Sequence, residues 1–304
     1  MKQPILSICI PTYNRFEMLD KTLASIFDSD VSLEEFEVVI SDNNSTDDTE
    51  LVVFKYQKKY NNVRYFKKNQ LEIADKNIID SLKLGEGLFL KLCNDTACFR
   101  KGALKILINY ITNNKINKKI LFFSNTSNRI THNITNFDSF IKSASYLSTS
   151  ILTVGFWKKD LQKIDNIESA FRYMLPGINL YILYFNLKTQ CLYIADELFE
   201  MQYVKNKGGY NIIDVFVTNY LGIILRNEYK NNKISKITYE IEKIKVLKGF
   251  VAPWMKLLKK KESGFTFSIE GANKKLFKIY YYNPLFYLMV LYFFIFDLIQ
   301  KLRN

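Results

Sequence analysis

Three polar segments in the first hundred positions concentrate residues that could do chemistry: Pro11-Thr-Tyr-Asn-Arg15, Ser41-Asp-Asn-Asn-Ser-Thr-Asp-Asp48 and Asn94-Asp-Thr96. Each follows a short apolar run. In an open α/β sheet the carboxyl ends of the strands form the binding crevice. Asp, Asn and Ser are also ordinary turn formers, so residue type alone fits a turn as well as a site. The single histidine, His132, rules out a multi-histidine metal centre. Cys9, Cys93, Cys98 and Cys191 contain no CxxC pair. They suit neither a zinc knuckle nor a disulfide scaffold and read as small buried apolar residues. No loop contains GxGxxG or GxxxxGK[ST], so neither a dinucleotide fingerprint nor a P-loop is indicated.

The elements that must position these segments alternate in type. Ile5–Ile10, Phe36–Ile40, Val63–Phe66 and Leu88–Cys93 read as buried strands. Arg15–Phe27, Thr49–Tyr60 and Ile73–Leu84 read as helices, the first with Phe16, Leu19, Leu23 and Ile26 at helical spacing. Strand, polar loop and helix in repetition predict an α/β fold with a mostly parallel sheet flanked by helices and right-handed crossovers. Beyond it the pattern predicts a helix over Arg100–Thr112, a strand over Ile120–Ser124, a loop over Thr126–Phe137, a strand over Ser150–Phe156, a helix over Lys158–Ile164 and a late strand at Leu192–Ile194. Helical patterns follow at Ile212–Leu225, Ile234–Leu247 and Val251–Lys261. A length of 304 residues at roughly 150 per domain gives two domains, placed at residues 1–205 and 206–304.

Ser7–Arg15 resembles the opening strand and loop of inverting family 2 glycosyltransferases of GT-A fold. Glu37–Asp47 is similar to their second strand and acidic loop. Asn69, Ala74 and Asn77 resemble their Asn…Ala-Arg-Asn segment, with Lys76 in the arginine place. Gly87–Thr96 resembles the strand that runs into their acidic metal motif. The four pieces fall in order over about the first hundred residues. Lys207-Gly-Gly-Tyr-Asn211 is similar to a segment of bacterial surface-polysaccharide and O-antigen members. The resemblance implies a Rossmann-like GT-A domain, a nucleotide-sugar donor (UDP-linked), a divalent cation (Mn²⁺ or Mg²⁺) and a glycan acceptor on a lipid carrier.

It also implies a donor site built from Pro11, Thr12, Tyr13, Asn14, Arg15, Asp42, Asn44, Asn69, Lys76, Asn77, Asn94 and Asp95. Chemistry agrees at several of these. The Tyr13 ring and the Pro11–Asn14 backbone suit a base, and Asp42 is an acceptor matched to the imide N–H of uracil. The metal motif departs from the family: Asn94-Asp95-Thr96 leaves Asp95 as its one carboxylate, with Asn94 or Thr96 as a neutral ligand. Hard divalent cations take one or two carboxylates with phosphate oxygens and water. An inverting transfer needs a carboxylate to accept the acceptor hydroxyl proton. At the position the family implies for that base, the chain has Asn179, which cannot serve. Glu168, Asp196 and Glu197 are the nearby acids. A weak or inactive sugar-nucleotide-binding partner of a polysaccharide assembly is the alternative reading.

Lys and Arg number 43 against 30 Asp and Glu, a formal charge of +13. No helix-turn-helix, RRM signature or zinc module accompanies that charge, so no nucleic-acid partner is expected. The apolar run at Ile5–Ile10 is too short for a signal-peptide core. Pro284–Ile299 is almost wholly apolar or aromatic and basic-flanked. As a helix it is about 24 Å long, short of the ~30 Å hydrocarbon core. It suits lying on an anionic membrane surface or packing on its own domain. A cytoplasmic protein, peripheral on the cytosolic face of the inner membrane, is the expectation.

Overall fold

Leu6–Thr12 forms strand β1, in which Leu6, Ile8, Cys9 and Ile10 are wholly buried. A strand covered on both faces needs such a continuous apolar run, the mark of a parallel sheet. In this computed structural model, which describes residues 3–258, 264–288 and 290–292, the chain forms two compact units, Met1–Tyr203 and Val204–Asn304.

The first unit continues through α1 (Phe16–Phe27), β2 (Phe36–Asp42), α2 (Thr49–Gln57), β3 (Val63–Lys67), α3 (Ala74–Lys83) and β4 (Phe89–Leu92). Next come β5 (Ala97–Phe99), α4 (Ala103–Asn114), β6 (Ile120–Phe123), β7 (His132–Ile134), α5 (Phe137–Ala144), β8 (Gly155–Trp157), α6 (Lys158–Leu161), α7 (Pro176–Leu187), β9 (Cys191–Ile194) and β10 (Phe199–Met201). The central sheet runs β3-β2-β1-β4-β8, with the first four strands parallel and β8 antiparallel at the edge. β6, β9 and β7 form a smaller sheet, and β5 pairs with β10. This is the mixed α/β architecture the alternation predicts.

Chain order reverses between β1 and β4, so the crevice at their carboxyl ends is a topological switch point. Register then fixes who meets whom. Thr12 pairs with Asp42 across β1 and β2, and Cys9 pairs with Leu92 across β1 and β4. Three residues further along both chains, Thr12 and Asp95 come face to face. Gly87 lets β4 start this close to β1: its N–H donates to Ser7 Oγ at 2.7 Å, and a Cβ there would stand 2.7 Å from the Ser7 nitrogen.

Several segments differ from the sequence expectation. The strand expected over Ser150–Phe156 is a 3₁₀ turn at Ile151–Thr153 followed by β8, and the loop expected over Thr126–Phe137 contains β7. α7 carries no amphipathic period because it is apolar nearly all round, as a buried helix is. α5 is amphipathic and starts at Asn136, whose side chain accepts the Ser139 N–H.

The second unit holds β11 (Lys207–Asn211), a wide-wound helical stretch Asp214–Leu225, α8 (Arg226–Lys230), α9 (Lys236–Val246), α10 (Ala252–Leu258), β12 (Phe265–Ser268) and α11 (Ala272–Tyr280). It is mainly helical, with one parallel pair, β11 and β12. Residues 284–288 and 290–292 are helical too, and the rest of the Pro284–Ile299 segment lies outside the described residues. Among the described residues no helix is long and apolar enough to cross a membrane.

Candidate functional site

The loop after β1 is tied to the loop after β2. Asn14 adopts a left-handed φ of 50°, which Asn tolerates better than most residues. Its Oδ1 accepts the Thr46 N–H at 2.8 Å, and its own N–H donates to Ser45 Oγ at 2.9 Å. The Phe16 N–H donates to Asp47 Oδ2 at 3.2 Å. Asn77 on α3 clamps β2 by accepting from Ser41 Oγ at 2.7 Å and donating to its carbonyl at 3.0 Å.

These ties frame a cavity of about 300 Å³. One wall is Pro11, Thr12, Tyr13 and Arg15, a second is Asn94 and Asp95, and a third is Ala74, Asn77 and Ile78 on α3; Ile151 adds to the lining. Seven sequence-predicted residues therefore meet there: Pro11, Thr12, Tyr13, Arg15, Asn77, Asn94 and Asp95.

Asp95 is the electrostatic centre. It is 2% exposed, accepts the Thr12 hydroxyl at 2.9 Å and pairs with Arg15 Nη1 at 3.0 Å. Burial pushes its carboxyl above the ordinary carboxylate range, and the Arg15 guanidinium, then the Thr12 hydroxyl, oppose that rise. Arg15 keeps 45% of its side chain exposed, so one side of the guanidinium remains available to an anion. Next to Asp95, Asn94 Oδ1 is buried with no hydrogen-bond partner. A carboxylate beside an unsatisfied amide oxygen is a hard-oxygen donor pair of the kind Mg²⁺ and Mn²⁺ accept. No group of three His, Cys, Asp or Glu assembles among the described residues, so phosphate and water oxygens would complete the shell.

Asp42 lies outside the cavity lining. Its carboxylate is wholly buried, with Oδ1 accepting the Ser45 N–H at 2.8 Å and Oδ2 accepting the Tyr65 hydroxyl at 2.6 Å. No oxygen is left at the surface for a base, because the side chain turns under its own loop as an Asx turn does. Asn43 lines the cavity instead, bonded through Nδ2 to the Glu72 carbonyl at 2.8 Å. The sequence signal for Asn43 was only its adjacency to Asp42 at a strand end, where neighbours point to opposite faces. Lys76 is also drawn away: it pairs with Glu72 and Asp80 in a cluster shared with Lys68. Asn44 (φ 64°) and the exposed Asn69 sit in loops, outside the cavity lining.

None of the candidate bases reaches this cavity. Glu168 is exposed and paired with Lys83 at 2.7 Å, which holds its carboxyl below the usual range. Asp196 accepts the Tyr110 hydroxyl at 2.8 Å beside the smaller sheet. Glu197 is exposed, accepts from Ser127 Oγ at 2.8 Å and lies 3.6 Å from Arg100. Asn179, in the first turn of α7, donates its amide to the carbonyls of Arg172 at 2.8 Å and Ala170 at 3.3 Å.

Residues 7–155, just under half of the chain, match the family model for Glycosyl transferase family 2. The abequosyltransferase RfbV of Salmonella typhimurium is 33% identical over 108 residues, 35% of this chain and 32% of that protein. The GalNAc(5)-diNAcBac-PP-undecaprenol beta-1,3-glucosyltransferase of Campylobacter jejuni is 34% identical over 106 residues, 34% of each. The chain thus spans about a third of the length of these curated relatives. Staphylococcus aureus TarS 1-349, solved in complex with UDP, shares the fold with a TM-score of 0.57 at 18% identity, over 84% of this chain and 75% of that one. Residues 7–155 are thus similar to family 2 glycosyl transferases, and the chain shares the fold of a solved glycosyltransferase.

Proposed function

We propose that this domain transfers a sugar from a UDP-linked donor to a glycan acceptor on a lipid carrier, with inversion, in the synthesis of a bacterial surface polysaccharide. The observation that carries the reading is the meeting of Arg15, Asp95 and the unsatisfied Asn94 oxygen at the switch point, below the partly exposed Tyr13 ring. A sugar nucleotide has matching parts. Its base stacks on Tyr13, whose ring is 41% exposed. Its diphosphate meets the open side of the Arg15 guanidinium, whose forked donors suit phosphate oxygens. Asp95 and Asn94 would hold a divalent cation, and when bound it neutralises negative charge on the diphosphate. The acceptor reading draws on the Campylobacter relative, whose name specifies a diphospho-undecaprenol carrier.

A membrane surface fits the second unit. Phe277, Tyr281, Tyr282, Tyr287 and Leu288 are each about half exposed, on α11, the turn that ends it and the helical residues beyond. Lys274, Lys275 and Lys278 share α11 with Phe277. Aromatic side chains interleaved with cations suit the interface of an anionic leaflet, at about 1 kcal/mol per basic residue.

UDP titration by calorimetry tests the donor reading. Arg15→Ala removes charge-assisted hydrogen bonds of about 1.5–3 kcal/mol, so affinity should fall roughly 10- to 100-fold in a folded variant. Equal affinity in the two proteins, or no UDP binding by the unaltered chain, overturns it.

A further inference from the structure

Removing the acceptor proton requires a carboxylate at the cavity, and those at hand are already engaged. Asp95 is held by Arg15 and Thr12. Glu72 lines the cavity but is clamped by Lys68 and Lys76, which keep its carboxyl low. Asn179 is an amide, and the three other candidates lie elsewhere.

Asp75 stands apart from these. It is not itself part of the lining but borders it, in the first turn of α3, next to Ala74 and three residues before Ile78, both of which line the cavity. Positions three apart share a helix face, so Asp75 shares its face with Ile78. It is half-buried, and the backbone amide of Met174 approaches its carboxylate. That amide belongs to an unusual turn: Tyr173 and Met174 both adopt left-handed φ angles, 67° and 60°. Two consecutive non-glycine residues there cost about 1–3 kcal/mol each, a strain that persists only where surroundings enforce it. The same turn leads through Leu175 into α7 and Asn179. The fold thus brings a carboxylate from α3 to the very segment whose own residue lacks one.

We infer that Asp75, rather than any residue of α7, is the general base of the transfer. The acceptor hydroxyl oxygen attacks the anomeric carbon and its proton passes to Asp75. The bond from that carbon to the diphosphate oxygen breaks, its electron pair leaves with UDP, and Asp75 returns the proton to water. Burial pushes the Asp75 carboxyl up to about 6, with the Met174 amide opposing. A base of that strength is ionised at neutral pH yet still able to take a proton. Titratable groups on the elements packed against α3 are engaged elsewhere: Glu37 with Arg64, Asp42 with Tyr65, Lys91 with the Leu92 and Leu152 carbonyls, Glu168 with Lys83, Tyr181 with the Thr153 carbonyl and Tyr184 with Asp160.

This inference rests on the transfer reading above, and the test separates the two. Full-length chain is incubated with UDP-glucose, UDP-galactose and UDP-N-acetylglucosamine, and UDP release to water is followed from pH 5 to 8. Water takes the acceptor's place, so the acceptor need not be known. Asp75→Asn keeps an oxygen for the Met174 amide. It should leave UDP affinity within about twofold and lower kcat by roughly 10²–10⁴-fold. The rise in rate through pH 6 should vanish with it. Asp75→Ala should regain part of its rate with added formate, which a structural role would not produce. Asp75→Asn as fast as the unaltered chain, or Asp75→Ala without formate rescue, overturns the inference alone. An unaltered chain that neither binds UDP nor releases it overturns the donor reading and this inference together.

Discussion

Lys91 offers a quantitative test of the central sheet. It lies on β4 with no exposed surface, and its ammonium donates to the carbonyls of Leu92 (2.6 Å) and Leu152. The rings of Phe123 and Phe199 lie 5.4 and 5.2 Å away. Burial depresses its pKa from 10.5 to about 8, and the neighbouring thiols Cys93 and Cys9 oppose that only in part. At about 1.4 kcal/mol per pH unit, the charged form costs about 3 kcal/mol in the folded state. The folded pKa is below the unfolded one, so between pH 8 and 10.5 the unfolded chain binds more protons and stability rises with pH. Lys91→Met removes the cation and leaves two carbonyls unbonded, at about 1 kcal/mol each. At pH 7 the variant should therefore be more stable by about 1 kcal/mol, and near pH 10.5 less stable by about 2 kcal/mol. The buried thiols Cys9, Cys93 and Cys191, whose pKa values are raised, act in the opposite direction in both proteins; Cys191 cancels in the difference, whereas Cys9 and Cys93 lose the lowering influence of Lys91 in the variant, which adds to its relative loss of stability at high pH. Urea unfolding of the pair at pH 7, 8, 9 and 10 reads it directly. A stability difference that does not change sign, or does not change with pH, refutes the reasoning.

Asp42→Ala breaks the bonds from the Ser45 amide and the Tyr65 hydroxyl, so the urea midpoint should fall by the equivalent of about 2–3 kcal/mol; an unchanged midpoint with UDP binding lost would return Asp42 to base recognition. Mn²⁺ should strengthen UDP binding less than about tenfold, as one carboxylate and one amide oxygen allow, and Asp95→Asn should abolish that gain; equal affinity in EDTA and in Mn²⁺ removes the cation from the site. Truncation after Tyr282 should release the protein from liposomes containing anionic lipid while UDP affinity persists, and high salt should weaken attachment only in part because apolar contact is unscreened; a full-length chain that ignores such liposomes makes the segment a packed structural helix.

What the sequence determined by itself was the alternation of buried strands and amphipathic helices and the loops at which function gathers. β1 and β2 are legible because burial on both faces demands unbroken apolar runs, and α1 because its period places Leu19, Leu23 and Ile26 on one side. These are local signals, carried within a turn or two of chain. Pro11–Arg15 and Asn94–Asp95 were found the same way, since strand ends in such a sheet converge whatever follows. Side-chain direction was not legible. Asp42 and Asn43 are adjacent in sequence, but loop closure through Ser45 and Tyr65 buries the first and leaves the second in the cavity lining. The same holds for α7, which is apolar on nearly every side and so carries no period to show which face is buried, and for Lys91, a charged residue inside a strand that only packing from both sides takes out of water. The partnership of Asp75 with the Tyr173–Met174 turn joins residues about a hundred positions apart, and no local pattern encodes it. Tertiary structure decided these matters because burial, strain and pairing depend on which distant segments close over a residue, and propensity and period are properties of the segment alone.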